Sequence, residues 1–130
     1  MMRAGLGLTA LLGLFSCGDE TLSGYGATDK TWVLTEIDGT AFEARAVLTF
    51  PEEGRIQGQA PCNTFSGSQT VPYPWFKAEG IAVTRMACPE LEAEAAFFEA
   101  LQAMTLAEVG VDTLFLSNDD GRKMVFHADN

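Results

Sequence analysis

Hydrophobic and polar positions along the chain change rhythm three times. Ala4 to Phe15 is a run of twelve residues without a charge, AGLGLTALLGLF. Residues 18–30, GDETLSGYGATDK, are polar, Gly-rich and without a period, which predicts a flexible tether. From Thr31 onward short alternating runs follow, each ended by a turn signal. They predict strands over 32–37 (closed by Asp38-Gly39), 46–50, 55–60, 64–69, 75–78, 80–84, 107–111, 113–117 and 123–128. Pro51-Glu52-Glu53-Gly54 and Asn118-Asp119-Asp120-Gly121 read as hairpin turns.

A single segment carries the helical period. Leu91, Ala95, Phe98, Leu101 and Met104 recur at three- and four-residue steps, and Phe97 widens the stripe. Pro89 suits a first turn, and Glu90, Glu92 and Glu94 place negative charge at the positive end of the helix dipole. The helix is therefore expected over about 89–105. About eight short antiparallel strands with one amphipathic helix inserted late make an α+β domain. The expected form is a curled sheet or partial β-barrel with the helix packed against it.

The first apolar run is too short to span a bilayer as a helix, which takes about 20 residues, but it has the length of a secretory signal core. It follows Met1-Met2-Arg3 and ends in Leu14-Phe15-Ser16-Cys17. A Leu three places before Cys and a small residue directly before it resemble the lipobox of bacterial lipoproteins. The resemblance implies cleavage after Ser16, lipidation of the Cys17 thiol and a membrane partner held through that anchor. The expected organisation is a signal peptide over 1–16, a lipidated Cys and tether over 17–30, and a domain over 31–130. Gly18, where Asp would imply inner-membrane retention, points to the outer membrane and a domain facing the periplasm.

Charge narrows the partners. Eight Lys and Arg stand against 18 Asp and Glu, net −10. Loss of residues 1–16 removes only Arg3 and leaves seven cations against 18 acids, net −11. Such a surface repels phosphate backbones, so nucleic acid is not an expected partner. With Cys17 taken by lipid, Cys62 and Cys88 form an even pair in an oxidising compartment. A disulfide is the expected outcome, and two buried thiols are the alternative.

Three motifs then fall together: Trp32-x-Leu34 with Ile37-x-Gly39, Gly58-Gln59-Ala60-Pro61-Cys62-Asn63-Thr64-Phe65-Ser66-Gly67, and Thr84-Arg85-Met86-Ala87-Cys88, closed by Leu114-x-Leu116 and Met124-x-Phe126. They resemble the META domain of heat-inducible, HslJ-like envelope proteins over essentially all of residues 30–128. Pro61 stands where the family usually has Gly, and Gln69 where an aromatic is common. The resemblance implies no enzymatic activity and no cofactor. It implies a monomeric envelope protein that binds or stabilises another envelope component, in stress or drug resistance.

Candidate chemistry is sparse. Ser66 is not in a strand-to-helix elbow, and the single His, His127, stands three residues from the end. No catalytic residue is assigned. Cys62 and Cys88 lack the clustered partners of a metal site, and Asn118-Asp119-Asp120-Gly121 lacks the spaced ligands of a calcium loop. The acidic pairs read as solvated turns and a helix start. Of the aromatics, most are expected to fill the core. Tyr73, Trp75 and Phe76, in the Pro-flanked loop, are the candidate partner-binding residues. A second reading is a carrier that holds an apolar or lipid ligand between helix and sheet.

Overall fold

A computed structural model describes residues 18–129. The expected cleavage and lipidation sites, Ser16 and Cys17, lie outside them. Strands β1 (Trp32–Ile37), β2 (Thr40–Ala41), β3 (Val47–Thr49), β4 (Arg55–Gln59), β5 (Thr64–Ser68) and β6 (Glu79–Val83) precede helix α1 (Leu91–Ala103). Strands β7 (Leu106–Val109), β8 (Thr113–Ser117) and β9 (Lys123–Ala128) follow it. The strands form one antiparallel sheet in the order β6-β5-β4-β3-β1-β9-β8-β7, with β2 paired to β1 alone. The expected α+β fold, a curled sheet carrying one helix, is what is observed.

Alternation sorts the side chains. Trp32 and Leu34, Leu48, Ile56, Phe65, Leu114 and Leu116, and Met124 and Phe126 all point to the concave side and are buried. Phe97, Ala100, Leu101 and Met104 of α1 close that core. Two motif glycines are required by close approach. A Cβ on Gly58 would strike the Val47 carbonyl, and one on Gly67 would lie 2.7 Å from the Glu79 carbonyl oxygen. Both contacts are with neighbouring strand backbone that cannot yield without loss of the ladder.

Three expectations are corrected. The segment 75–78 is not a strand; only Trp75 forms a bridge, to Leu106 of β7. The stretch from Gln69 to Ala78 leaves β5, runs along the free edge of β7 and returns as β6, so it links the two edges of the curled sheet. The buried stripe of α1 is Glu94, Phe97, Ala100 and Leu101, whereas Leu91 is 46% exposed. The stripe is rotated because Glu94, not Ala95, faces inward, for a reason given below. α1 is also shorter than expected, with Pro89 ahead of its N-cap Glu90.

The third correction concerns residues 18–30. Instead of a tether, Leu22–Tyr25 forms a 3-10 turn against the domain. Leu22 and Ala27 are fully buried. The Asp19 carboxylate accepts from the backbone N–H and hydroxyl of Thr21, at 2.8 and 2.6 Å, and from the Ser23 hydroxyl. Trp32 Nε1 donates to the Ala27 carbonyl at 3.0 Å. Polar, Gly-rich composition concealed two apolar anchors, Leu22 and Ala27, and a carboxylate that satisfies the turn's own donors.

Candidate functional site

The two longer motifs meet at one point. The turn Ala60–Asn63 joins β4 to β5, and Cys62 in it is disulfide-bonded to Cys88, just before α1. The expected pairing is therefore formed. Beside it lies Asn63, 4% exposed. Its Oδ1 accepts from the Met86 N–H at 2.6 Å and the Thr84 hydroxyl at 2.9 Å, and its Nδ2 donates to the Met86 carbonyl at 3.0 Å. The side chain thus acts as a short piece of extra strand between the β4–β5 turn and the segment leaving β6.

Glu94 completes this arrangement from the helix. Its Oε1 accepts the backbone N–H groups of Cys62 and Asn63, both at 2.8 Å, and its Oε2 accepts Asn63 Nδ2 at 2.7 Å. The carboxylate is 7% exposed and has no ion-pair partner among the described residues. Burial of a charge is tolerated here because N–H donors replace its water. Sequence reasoning placed Glu94 with the solvated acids of the helix start. The available signal was its spacing of three and seven residues before Phe97 and Leu101, which puts all three on one face. The Glu94 carboxylate and the Asn63 amide are bonded to groups of the clasp itself, so it reads as a structural joint.

The candidate partner-binding residues separate. Phe76 is 2% exposed and belongs to the core, with its N–H donating to the Thr105 carbonyl at 2.8 Å. Its assignment as a contact residue is corrected on that ground. Tyr73 is half-buried: its hydroxyl accepts the Val109 N–H at 3.0 Å and its ring stacks on Tyr25, centroids 4.6 Å apart. Trp75 is 56% exposed. Gln69, in place of the common aromatic, is 1% exposed. Its Oε1 accepts the Lys77 N–H at 2.8 Å and its Nε2 donates to the Val71 carbonyl at 3.2 Å, so one amide fixes both ends of the loop.

Ser66 and His127 are not brought together as neighbours: they sit on β5 and β9, with β4, β3 and β1 between them in the sheet order. Asn118 makes an Asx turn: its Oδ1 accepts the Asp120 and Arg122 N–H groups, and its Nδ2 donates to the Ala103 carbonyl at the end of α1. Among the described residues no three His, Cys, Asp or Glu are gathered as a metal would need. No helix among them is long and apolar enough to cross a membrane.

A family model for the META domain matches residues 26–130. The chain belongs to the META domain family. The match begins at Gly26, within the packed N-terminal segment and ahead of β1, which agrees with Ala27 being core. A solved structure of a protein from Burkholderia xenovorans is 25% identical, with a TM-score of 0.66 over 80% of this chain and 84% of that one. A second NMR structure, also 25% identical, aligns over 75% of this chain and 87% of that one with a TM-score of 0.58. A DUF4847 family protein from Bacteroides vulgatus, 14% identical, shares the fold with a TM-score of 0.58 over 82% of this chain and 94% of that one. No curated protein matches. None of the descriptions of these relatives names an enzymatic activity.

The META sheet leaves one broad concavity on its outer face. It spans β3 to β6 with a volume of about 810 Å³. Thr49, Gln57, Gln59, Thr64 and Ser66 line it, and Arg45 stands with them. The alternation that buries Ile56 and Phe65 turns these hydroxyls and amides outward. The surface is open and uncharged apart from Arg45, and Val47, Ala82 and Val83 line it beside groups that both donate and accept hydrogen bonds. The space between helix and sheet, where an apolar ligand was to be held, is filled by Phe65, Phe97 and Phe98 with ring centroids 5.2–5.7 Å apart.

Proposed function

We propose that this META protein is a lipid-anchored component of the bacterial envelope, held through Cys17, and that it works by binding another envelope component without catalysis. One observation carries the binding half of this reading: the open trough of hydroxyl and amide side chains on the outer face of β3–β6. A surface of that kind suits an extended polar segment laid across the strands, where Gln57, Gln59, Thr64 and Ser66 offer successive hydrogen bonds. It is too open to exclude water around a reacting group, which catalysis of acyl or phosphoryl transfer generally needs. The filled core between helix and sheet weighs against the carrier reading.

The address rests on the sequence ahead of the domain, and a periplasmic, outer-membrane location is the corresponding proposal. Photo-cross-linking in intact cells tests the binding half. A photoreactive residue at Gln57 is expected to give one defined envelope adduct, absent when the same residue stands at the exposed Asp119. Equal adducts from both positions, or none from Gln57, would contradict the trough as the contact face.

A further inference from the structure

Six large apolar side chains are exposed among the described residues: Tyr25, Trp75, Val83, Met86, Leu91 and Val111. Two of them, Tyr25 and Trp75, lie beside Tyr73, where the N-terminal segment leaves the domain. Tyr25 is 50% exposed and stacks on Tyr73, and Trp75 lies two residues beyond Tyr73. Val111, 80% exposed, lies two residues beyond Val109, whose N–H the Tyr73 hydroxyl accepts, at the opposite end of β7 from Leu106, which Trp75 bridges. Lys30 donates to the Val111 carbonyl at 2.6 Å and so joins that hairpin to the N-terminal segment.

The chain's exit is fixed beside Tyr73. The Tyr73 N–H donates to the Glu20 carbonyl at 2.7 Å, and Asp19 is held by Thr21 and Ser23. Cys17 is two residues before Asp19, a reach of about 7 Å even fully extended. A group attached to Cys17 is therefore tethered within that reach of Asp19, whose neighbour Glu20 is bonded to Tyr73.

We infer that, with Cys17 at a bilayer, Tyr25 and Trp75 rest in the headgroup layer of that same bilayer. The domain then lies against the membrane by this end and does not stand off it. The inference rests on the proposed anchor. Its occupant is a zwitterionic phospholipid surface. Trp and Tyr pair an apolar ring with a polar atom and favour this layer, and Asp19 and Glu20 at the exit, with the strongly acidic chain as a whole, oppose anionic headgroups.

The two tryptophans make the test direct, because Trp32 is fully buried and Trp75 is not. Protein purified from membranes is reconstituted into phosphatidylcholine vesicles with or without bromine on the acyl chains near the headgroups. The difference in fluorescence between the wild type and Trp75→Phe isolates Trp75. Its emission is expected to fall at least about twofold with the brominated lipid, as for a ring at the interface, while Trp32 is unaffected. Unquenched Trp75 in a sample whose intact mass shows acyl groups on Cys17 would overturn the orientation and leave the anchor standing. A mass without acyl groups would overturn the anchor and the orientation with it.

Discussion

The two ends of the META domain treat their exposed and buried chemistry in opposite ways. At the clasp, Cys62, Asn63, Thr84, Met86, Cys88 and Glu94 satisfy one another, and little is left for a ligand. At the other end, Tyr25 and Trp75 are half exposed although the backbone beneath them is tightly held. The difference separates two kinds of constraint on sequence. The residues of the Gly58–Gly67 and Thr84–Cys88 segments include those that make the fold close. A second surface with unmet contacts, Tyr25 and Trp75, lies outside the motifs beside the loop held by Gln69, while Met86 within the third motif is exposed as well. A motif search therefore finds the joint and passes over the face.

The largest effect should come from the clasp. Glu94→Ala takes the acceptor from three N–H donors, two of them in buried bonds and the Cys62 N–H part-buried, at about 1–3 kcal/mol for each unsatisfied group, so a loss of roughly 3 kcal/mol or more is expected in urea unfolding. Glu94→Gln keeps one acceptor but turns an amide donor toward Asn63 Nδ2 or the backbone N–H groups, and should fall between the two. A cost under ~1 kcal/mol for Glu94→Ala would mean that water enters and that the clasp is not a sealed joint.

Reduction of the disulfide comes next. The bridge spans a sequence separation of 26, for which loop-closure entropy gives a contribution of roughly 3.5 kcal/mol. Cys62→Ser with Cys88→Ser should lower the unfolding midpoint by an amount of that order, less whatever structure the unfolded chain retains. Because both clasp elements join the same turn to the approach to α1, the two losses should be non-additive in a double-mutant cycle. Additive losses would place the bridge and the carboxylate in separate joints.

A smaller effect belongs to the surface. Asp38 accepts the Lys123 N–H and pairs with Arg122, and these contacts hold its carboxyl below the ordinary value of 3.8. Glu99 and Asp38 together hold the Arg122 guanidinium above its usual range. A depressed carboxyl contributes stability that is present above its unfolded value and is lost as the pH falls through the folded one. Asp38→Asn should therefore reduce stability at neutral pH and flatten its decline below pH ~4, by under ~1 kcal/mol because the pair is solvent-screened. Asp19 follows the same sign: burial pushes its carboxyl up, but the hydrogen bonds from Ser23 and Thr21 outweigh it.

The smallest effect on stability should be at the aromatic end. Trp75→Ser removes a half-exposed ring and should change unfolding by less than about 0.5 kcal/mol, as surface substitutions commonly do. A large loss would make Trp75 part of the joint between the sheet edges and remove the contrast between the two ends.

Much of this architecture was legible in the sequence because it rests on local periods. Alternation at Trp32–Ile37, Thr113–Ser117 and Lys123–Ala128 is the two-residue period of a half-buried strand. The Cys62–Cys88 pairing followed from parity and compartment. What was illegible depends on contacts distant in sequence. The spacing of Glu94 to Phe97 and Leu101 puts it on the buried face, but nothing near it announces that its oxygens reach Cys62 and Asn63. Leu22 and Ala27 sit among glycines and acids, and only the pocket beneath them makes them core. Trp75-Phe76-Lys77-Ala78 has the composition of a strand, but Gln69 and the edge of β7 fix it as a linking loop.

The most direct measurement is the intact mass of the protein recovered from bacterial membranes, before and after reduction. A mass of residues 17–130 plus acyl groups, gaining two hydrogens on reduction, is expected of an anchored domain with the Cys62–Cys88 bridge. An unacylated mass would contradict the proposed address.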